Sequence, residues 1–282
     1  MRTMESILDG STEPVVAVIG HPVAGNPTQF ALECGLSYAG VDCRVLSFDV
    51  SEDRSDAALS GLAALHFTGV WVDASCRQAV RSWLHGRGES VHTADVLQLD
   101  VISSAPTFRV VEERDRIWPE MVRQDFLRVG RSIRRVLVVG EDDPRRQQVI
   151  ACITGSERDG EDAHAGLLQG EQVRATANVT SSMSLQEVDC VVWLADAPES
   201  WKVLQQKLAQ RQGDPVLVVD LYEGWDSSPM RWTDPTQTLL ASAWIDRMTL
   251  HAELLVRATG RWFDCPIPAE VFREAIEEYL AV

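Results

Sequence analysis

The alternation of short valine-rich strands with helical segments constrains the fold of this chain more than any other feature. Residues 15–20 (VVAVIG) and 134–140 (RRVLVVG) have the continuous apolar runs of strands that are covered on both faces of a parallel sheet. Each ends in a glycine and is followed by a segment with helical spacing, at 27–40 and at 144–153. The sequence therefore predicts an α/β protein built from strand–helix units.

Further segments extend this pattern in the first half of the chain. The predicted strands are 43–50 and 68–73, and the predicted helices are 55–67, 75–84 and 119–130. Residues 94–117 are β-rich and are interrupted by a Ser-Ser-Ala-Pro turn, which is typical of a hairpin or an extended crossover. A second series of strand–helix units follows.

In the second half, the predicted strands are 172–179, 189–195 and 215–222, and the predicted helices are 199–212, 236–259 (ending at Gly260) and 268–280. Residues 155–171 are polar and punctuated by glycine, so we expect a loop with a short helix. A chain of 282 residues with this pattern is long enough for two α/β domains.

Charge and composition exclude several classes of function. The formal net charge of -16 argues against nucleic acids and anionic membranes as partners. There is no apolar run of transmembrane length and no apolar region typical of a secretory signal near the N-terminus, so we expect a cytoplasmic protein. The six cysteines and six histidines show neither a CxxC nor an HExxH spacing, so the sequence predicts no metal site.

Two strings in the first half suggest a family. "GHPVAGNPTQF" is similar to the pattern G-N-P-I-x-H-S-x-S-P, and "GVWVDASCR" is similar to G-x-N-V-T-x-P-x-K. Both patterns come from the shikimate dehydrogenase family, which this chain resembles over nearly its whole length. In the alignment Arg77 replaces the family lysine, Trp71 the asparagine and Asp73 the threonine, and "ERDR" places Asp115 at the family aspartate.

Three strings in the second half extend the resemblance. "VVDLYEGWDSSP" is similar to V-x-D-x-x-Y-x-P-x-x-T-P through Asp220, Ser228 and Pro229. "MTLHAELLVRATG" is similar to the closing Q-A-A-x-x-F-x-L-W-T-G helix, with Leu250 at the glutamine, and "CPIPAEVFREAI" is similar to the family's C-terminal segment.

The resemblance implies two domains around a cleft that holds a small molecule. An N-terminal α/β substrate-type domain would span 1–118, with the helices of 236–282 partly packing back onto it. A Rossmann-like, doubly wound domain would span 119–235. The implied activity is NADP-dependent hydride transfer at C3 of shikimate, with a Lys–Asp pair handling the proton and two serines holding the carboxylate.

Physical chemistry argues against that activity at the substrate positions. Arg77 cannot act as a general base, because the pKa of an arginine stays above about 12. Both serines are missing, and Asn26 is the one remaining polar side chain in the loop. Together with the bulk of Trp71, these changes predict a smaller and less polar pocket lined by Asn26, Trp71, Asp73 and Leu250.

The nucleotide loop departs further from the family. After Gly140, the chain has Glu-Asp-Asp-Pro where backbone N–H groups should approach a pyrophosphate. Each carboxylate at about 5 Å would repel a phosphate charge by roughly 3 kcal/mol at an effective dielectric of ~20, whereas a helix dipole returns about 0.3–1 kcal/mol. Asp143 before Pro144 instead predicts a capped helix start. Arg145 and Arg146 are the cations that could offset this repulsion.

The motif for the 2′-phosphate is also weak. The family places N-R-[ST] after the second strand of this domain, and the sequence suggests "TGSERDGEDA" for that region, with only Ser156 and Arg158 similar. Four acidic residues in the same segment disfavour a phosphate. The sequence therefore predicts no bound cofactor, or NADP if the family function is retained.

Three functions follow from these features. The first is a shikimate dehydrogenase-like protein with degraded motifs, catalytically impaired, that binds another small molecule or a partner. The second is an active NADP-dependent oxidoreductase of altered specificity, with Asp115 as base, Arg77 as anion clamp and Arg145 and Arg146 on the phosphate. The third is a partner-binding regulatory protein, and a homodimer or a protein partner is possible. Several tryptophans of the C-terminal half would suggest an interface if they formed an exposed patch, and the alternative is that most of them are buried: Trp193, Trp201, Trp225, Trp232, Trp244 and Trp262.

Overall fold

The computed structural model describes residues 13–89, 91, 94–101, 106–112, 114–128, 133–154, 172–195, 197–212, 214, 216–222, 225 and 244–281. The chain forms two compact units, one of Met1–Arg114 with His251–Val282 and one of Asp115–Leu250. Each unit contains an α/β arrangement, which confirms the predicted fold class. No helix within the described ranges is long and apolar enough to cross a membrane.

The first unit is built on a five-stranded mixed sheet. Its strands are β1 (Val15–Gly20), β2 (Arg44–Asp49), β3 (Gly69–Val72), β4 (Val96–Asp100) and β5 (Thr107–Glu112). Their order is β2-β1-β3-β4-β5. β2, β1 and β3 are parallel, whereas β4 and β5 form antiparallel pairs, so residues 94–117 supply the hairpin that was one of the two predicted alternatives.

The helices that follow β1, β2 and β3 are α1 (Thr28–Tyr38), α2 (Ser55–Ala64) and α3 (Arg77–His85), and short 3₁₀ turns precede the last two. Apart from its first residue, α4 (Arg114–Arg128) belongs to the second unit, which also contains α5 (Pro144–Thr154) and α6 (Pro198–Gln210). The chain closes with α7 (Arg247–Phe263) and α8 (Ala269–Ala281). Glycines let helices approach closely in the first unit. A Cβ at Gly69 would overlap the ring of Trp262, and one at Gly35 would overlap the ring of Phe272.

The second unit contains a five-stranded sheet whose strand pairs are all parallel. Its strands are β6 (Arg135–Val139), β7 (Gln172–Thr176), β8 (Cys190–Trp193), β9 (Leu217–Asp220) and β10 (Trp244–Ile245). Their order is β10-β9-β8-β6-β7. Because β7 and β8 lie on opposite sides of β6, the loop after β6 lies where the strand order reverses, the usual ligand position in open α/β sheets.

Three boundaries differ from the sequence prediction by four residues or more. Helix α4 begins at Arg114 instead of residue 119, with Pro119 inside it. Helix α7 begins at Arg247, because the carboxylate of Asp246 accepts a hydrogen bond from the backbone N–H of Thr249 at 2.6 Å. The same helix continues through Gly260 to Phe263, and the segment just before it pairs with β9 as β10. Residues 236–243 of the predicted helix lie outside the described residues.

Candidate functional site

Two of the predicted substrate residues are bonded to each other at the carboxyl ends of β1 and β3. The side-chain amide of Asn26 donates to Asp73 Oδ2 at 2.8 Å. The Asn26 oxygen accepts from the backbone N–H of Thr28 at 2.9 Å and from its hydroxyl at 2.5 Å, so it holds the start of α1. Asp73 Oδ1 accepts from the backbone N–H and the hydroxyl of Ser75. These polar groups are thus engaged within the chain.

A buried histidine connects this pair to the rest of the unit. His251, in α7, places Nε2 3.0 Å from the Thr28 hydroxyl and Nδ1 3.4 Å from Nη2 of Arg114. Its ring lies against Trp71, with the ring centroids 4.7 Å apart. Burial, and then the charges of Arg114 and Arg77, lower the pKa of His251 well below its ordinary value, so the ring is neutral at pH 7.

These contacts fix the direction of the hydrogen bonds. A guanidinium has no acceptor, so Nδ1 of His251 accepts from Arg114 and the ring proton is on Nε2. His251 then donates to Thr28, Thr28 donates to Asn26, and Asn26 donates to Asp73. These four hydrogen bonds therefore form one continuous series from the Arg114 guanidinium to the Asp73 carboxylate. The sequence comparison pointed instead to the neighbouring Leu250, which is fully buried.

Arg77, at the position of the family lysine, is part of a buried ion pair. Its Nε lies 2.7 Å from Oδ1 of Asp95, and the exposed fractions of the two side chains are 15% and 1%. The other oxygen of Asp95 accepts from the backbone N–H of Arg114 at 2.9 Å. Asp95 was not singled out from the sequence, because a lone carboxylate before a strand carries no recognisable pattern.

The start of α5 in the second unit is closed by its own side chains. Asp143 Oδ1 accepts from the backbone N–H of Arg146 at 2.8 Å, which confirms the predicted N-cap. The Arg146 guanidinium donates to the carbonyl of Gly140 at 2.8 Å and pairs with Asp142 at 2.5 Å. Asp143, which caps the helix, and Arg146, one of the two candidate cations, are thus bonded to each other, and Arg146 is also bonded to the loop that precedes the helix.

The other cation is bound to the predicted catalytic carboxylate. Arg145 Nη1 lies 2.7 Å from Asp115 Oδ2, and the exposed fractions of the two side chains are 22% and 3%. Asp115 lies in the first turn of α4 and is buried. Arg77 and Asp115 belong to different units, and each has its ion pair within its own unit.

The strand order corrects the position expected for the 2′-phosphate contact. β7 pairs directly with β6 and is thus the second strand of this sheet, so the loop that follows it is 177–180. Asn178, Val179 and Thr180 occupy that loop, and Val179 is 3% exposed. The hydroxyl of Ser200 donates to the Asn178 side chain at 3.0 Å. Ser156 and Arg158, suggested from the sequence, lie outside the described residues.

Two further sequence predictions concern metals and tryptophans. The described part of the chain contains no cluster of three or more His, Cys, Asp or Glu side chains suited to a metal ion. Trp193, Trp201 and Trp262 are buried, which is not the exposed tryptophan surface of the third hypothesis. Trp201 lies edge-on to Trp193 and Trp244, with centroids 4.9 and 5.4 Å apart, inside the core of the second unit. Trp232 lies outside the described residues.

Comparison with solved structures identifies the fold. A shikimate dehydrogenase in complex with NADP+ matches with a TM-score of 0.65 and 14% identity over 94% of this chain and 95% of that chain. Shikimate 5-dehydrogenase from Thermus thermophilus, in complex with shikimate, matches with a TM-score of 0.60 and 14% identity over 95% and 100%. The ligand-free 5-ketofructose reductase of Gluconobacter sp. strain CHM43 matches with a TM-score of 0.63 and 14% identity over 95% and 99%.

The chain therefore has a divergent shikimate dehydrogenase-like fold, as the sequence strings suggested. No protein-family model and no functionally curated protein matches the sequence. At this level of identity the likeness establishes the fold, and the chemistry must be judged from the residues described above.

Proposed function

We propose that this protein has the shikimate dehydrogenase-like fold without its reaction: it does not use NADP(H) to oxidise shikimate, and it acts by binding another small molecule or a protein partner. The main support is that the groups at the start of α5 that could meet a cofactor phosphate are bonded within the chain itself. Asp143 accepts a hydrogen bond from the Arg146 backbone N–H, and Arg145 forms an ion pair with Asp115.

The residues present do not fit the cofactor that the fold implies. A pyrophosphate at a helix N-terminus needs unoccupied N–H groups and space for its charge. Here Asp143 already accepts from one of those N–H groups, and Glu141, Asp142 and Asp143 are exposed around it. The loop 177–180 after the second strand of this sheet, where the family motif for the 2′-phosphate would be expected, contains no arginine, and its Val179 is buried.

None of the candidate acids and bases among the described residues replaces the proton-transfer lysine. Arg77 keeps its proton and is paired with Asp95. His251 is neutral, but both of its ring nitrogens have partners in the hydrogen-bond chain, and its side chain is buried. Asp115 is held by Arg145. Each candidate acid or base therefore has a structural partner that would have to be displaced before a substrate could exchange a proton with it.

The second candidate function is an oxidoreductase with a different substrate. Asp73 places a carboxylate at the strand ends where the family uses hydroxyls, and this charge disfavours an anionic substrate such as shikimate. One of the structural matches is named a 5-ketofructose reductase, and 5-ketofructose is an uncharged sugar. This candidate requires Arg145 and Arg146 to leave their present partners and bind phosphate.

Turnover assays separate the two candidates. The full chain is incubated with NADP+ or NAD+ plus shikimate or quinate, and with NADPH or NADH plus 5-ketofructose, while the absorbance of the reduced nicotinamide is followed. An active shikimate dehydrogenase at equal concentration serves as the control. We expect no rate above the background without protein. Shikimate turnover would refute the proposal, and 5-ketofructose turnover that is lost in Arg145→Ala/Arg146→Ala would establish the second candidate.

A further inference from the structure

A surface groove lies between α1 and α8, on the helical side of the first unit. The two helices meet where Gly35 of α1 admits the ring of Phe272 of α8, and beside this contact they leave a groove of about 560 Å³. Its apolar lining includes Phe30, Cys34 and Tyr38 from α1 and Val271 from α8. We call it the acidic groove, because its polar rim is formed mainly by the glutamates described below.

The apolar part of this groove is accessible to solvent. The side chain of Tyr38 is 65% exposed, which places it among the most exposed large hydrophobic residues of the described chain. Phe30 and Val271 are each partly exposed. The rings of Phe30 and Tyr279 lie 6.0 Å apart and hold one wall in place. An apolar depression with a polar rim is the usual form of a protein-binding surface.

The rim carries a concentrated negative charge. Glu33, Glu274 and Glu278 line the groove and are exposed. Within the described ranges, no ion pair reaches Glu274 or Glu278, although their neighbour Glu277 is paired with Arg273 at 3.0 Å. Burial, followed by the charges of Glu278 and Glu33, raises the pKa of the Cys34 thiol, so the negative field extends to the groove floor.

We propose that the acidic groove is the docking surface for a basic amphipathic helix of a protein partner. Leucine-type side chains on one face of such a helix would fill the apolar floor, and flanking lysines or arginines would meet the three glutamates. A second copy of this chain fits poorly. It carries a net charge of -16, and a symmetric contact would bring the glutamates of the two grooves together. The inference does not depend on whether the nucleotide site is functional.

A labelled peptide tests the proposal directly. The probe is a fluorescein-labelled amphipathic peptide with a leucine stripe at i, i+3, i+4 and i+7 flanked by lysines, and its binding to the full chain is followed by anisotropy. We expect the Glu274→Lys/Glu278→Lys variant to bind it at least tenfold more weakly. The matched control, Glu52→Lys/Glu89→Lys, changes the net charge equally at exposed positions away from the groove and should weaken binding less than threefold.

Two further measurements locate the site. In ¹⁵N-labelled protein, the peptide should shift the amide signals of 30–38 and 271–279, and Tyr38→Ala, which removes only an exposed side chain, should weaken binding severalfold with unchanged circular dichroism. Equal losses in both charge variants, or shifts elsewhere in the chain, would overturn the proposal. So would light scattering that shows a dimer dissociated by Glu274→Lys/Glu278→Lys, because the groove would then bind a second copy.

Discussion

The strand ends of the two units are occupied by the chain's own side chains in different ways. In the first unit the polar groups are buried and linked in series, from Arg114 through His251, Thr28 and Asn26 to Asp73. In the second unit the start of α5 lies at the surface, and most of its polar bonds are local, made by residues within six positions of one another. Arg145 instead makes a long-range pair with the buried Asp115.

This difference determines how strongly each region resists change. An exposed cap or ion pair contributes about 1 kcal/mol or less, whereas breaking a buried charge pair costs several times more. A ligand could displace the local bonds around Asp143 at modest cost. Opening the network of the first unit would break hydrogen bonds made by the buried side chains of Arg114 and His251. The two regions should therefore respond very differently to matched substitutions.

The largest expected effect is at Asp95. Asp95→Ala would leave the Arg77 guanidinium and the Arg114 N–H without their buried partner, so we expect the free energy of unfolding to fall by about 3–5 kcal/mol. Urea denaturation followed by circular dichroism measures this loss. The control is Asp49→Ala, which removes an exposed partner of His21 and should cost about 1 kcal/mol or less. Equal losses would contradict the buried role of Asp95.

Arg145 tests the long-range ion pair at the start of α5. Arg145→Ala strands the Asp115 carboxylate in a buried position, and because Arg145 is itself partly exposed we expect a loss of about 2 kcal/mol. Arg135→Ala removes an arginine whose pair with Glu187 is exposed, and should cost less than about 0.5 kcal/mol. Urea unfolding followed by tryptophan fluorescence measures this loss. If the two variants behave alike, Asp115 is not held as the structure indicates.

The pH dependence of stability isolates His251. Its pKa is lowered in the folded state, so below the ordinary value of about 6.5 the unfolded chain binds a proton that the folded chain does not. The stabilisation from neutral His251 is therefore complete above about pH 6.5 and declines as the pH falls, by up to about 1.4 kcal/mol per pH unit. Urea titrations over this range should show a shallower slope in His251→Gln. The exposed control His85→Gln should keep the wild-type dependence of the unfolding free energy on pH. If His251→Gln also keeps it, His251 is not the group responsible.

The smallest effect is expected at the helix cap. Asp143→Ala removes the acceptor for the Arg146 N–H and should cost about 1 kcal/mol in thermal or urea unfolding. Glu141→Ala changes an exposed carboxylate in the same loop that makes no described side-chain bond, and should be neutral. A larger loss at Glu141 than at Asp143 would mean that the helix start is held in another way.

The sequence sufficed to predict whatever depends on local patterns. Continuous apolar strands, the Asp143–Pro144 helix start and the α/β class follow from neighbouring residues, and the structure confirms them. The predicted end of α7 at Gly260 was wrong. Glycine commonly terminates helices, but this helix continues through Gly260 to Phe263.

The contacts that decide the candidate site are long-range and left no pattern in the sequence. Thr28 and His251 are 223 positions apart, and Arg145 and Asp115 are 30 apart. The family comparison pointed to Leu250, one residue before His251, because it aligned positions and could not show which side chain reaches the network. Strand order likewise moved the expected phosphate contact to 177–180, which required knowing that β7 lies beside β6.

The most direct test of the central claim is a calorimetric titration of the full chain with NADP+. Asp143 is bonded to the Arg146 backbone N–H, Asp142 is paired with the Arg146 side chain, and Asp115 is paired with Arg145. Because these groups are already bonded within the chain, we predict no saturable heat up to millimolar NADP+. An active shikimate dehydrogenase titrated under the same conditions provides the positive control. Saturable binding with a micromolar dissociation constant would contradict the account, since the cofactor would then have displaced these internal bonds.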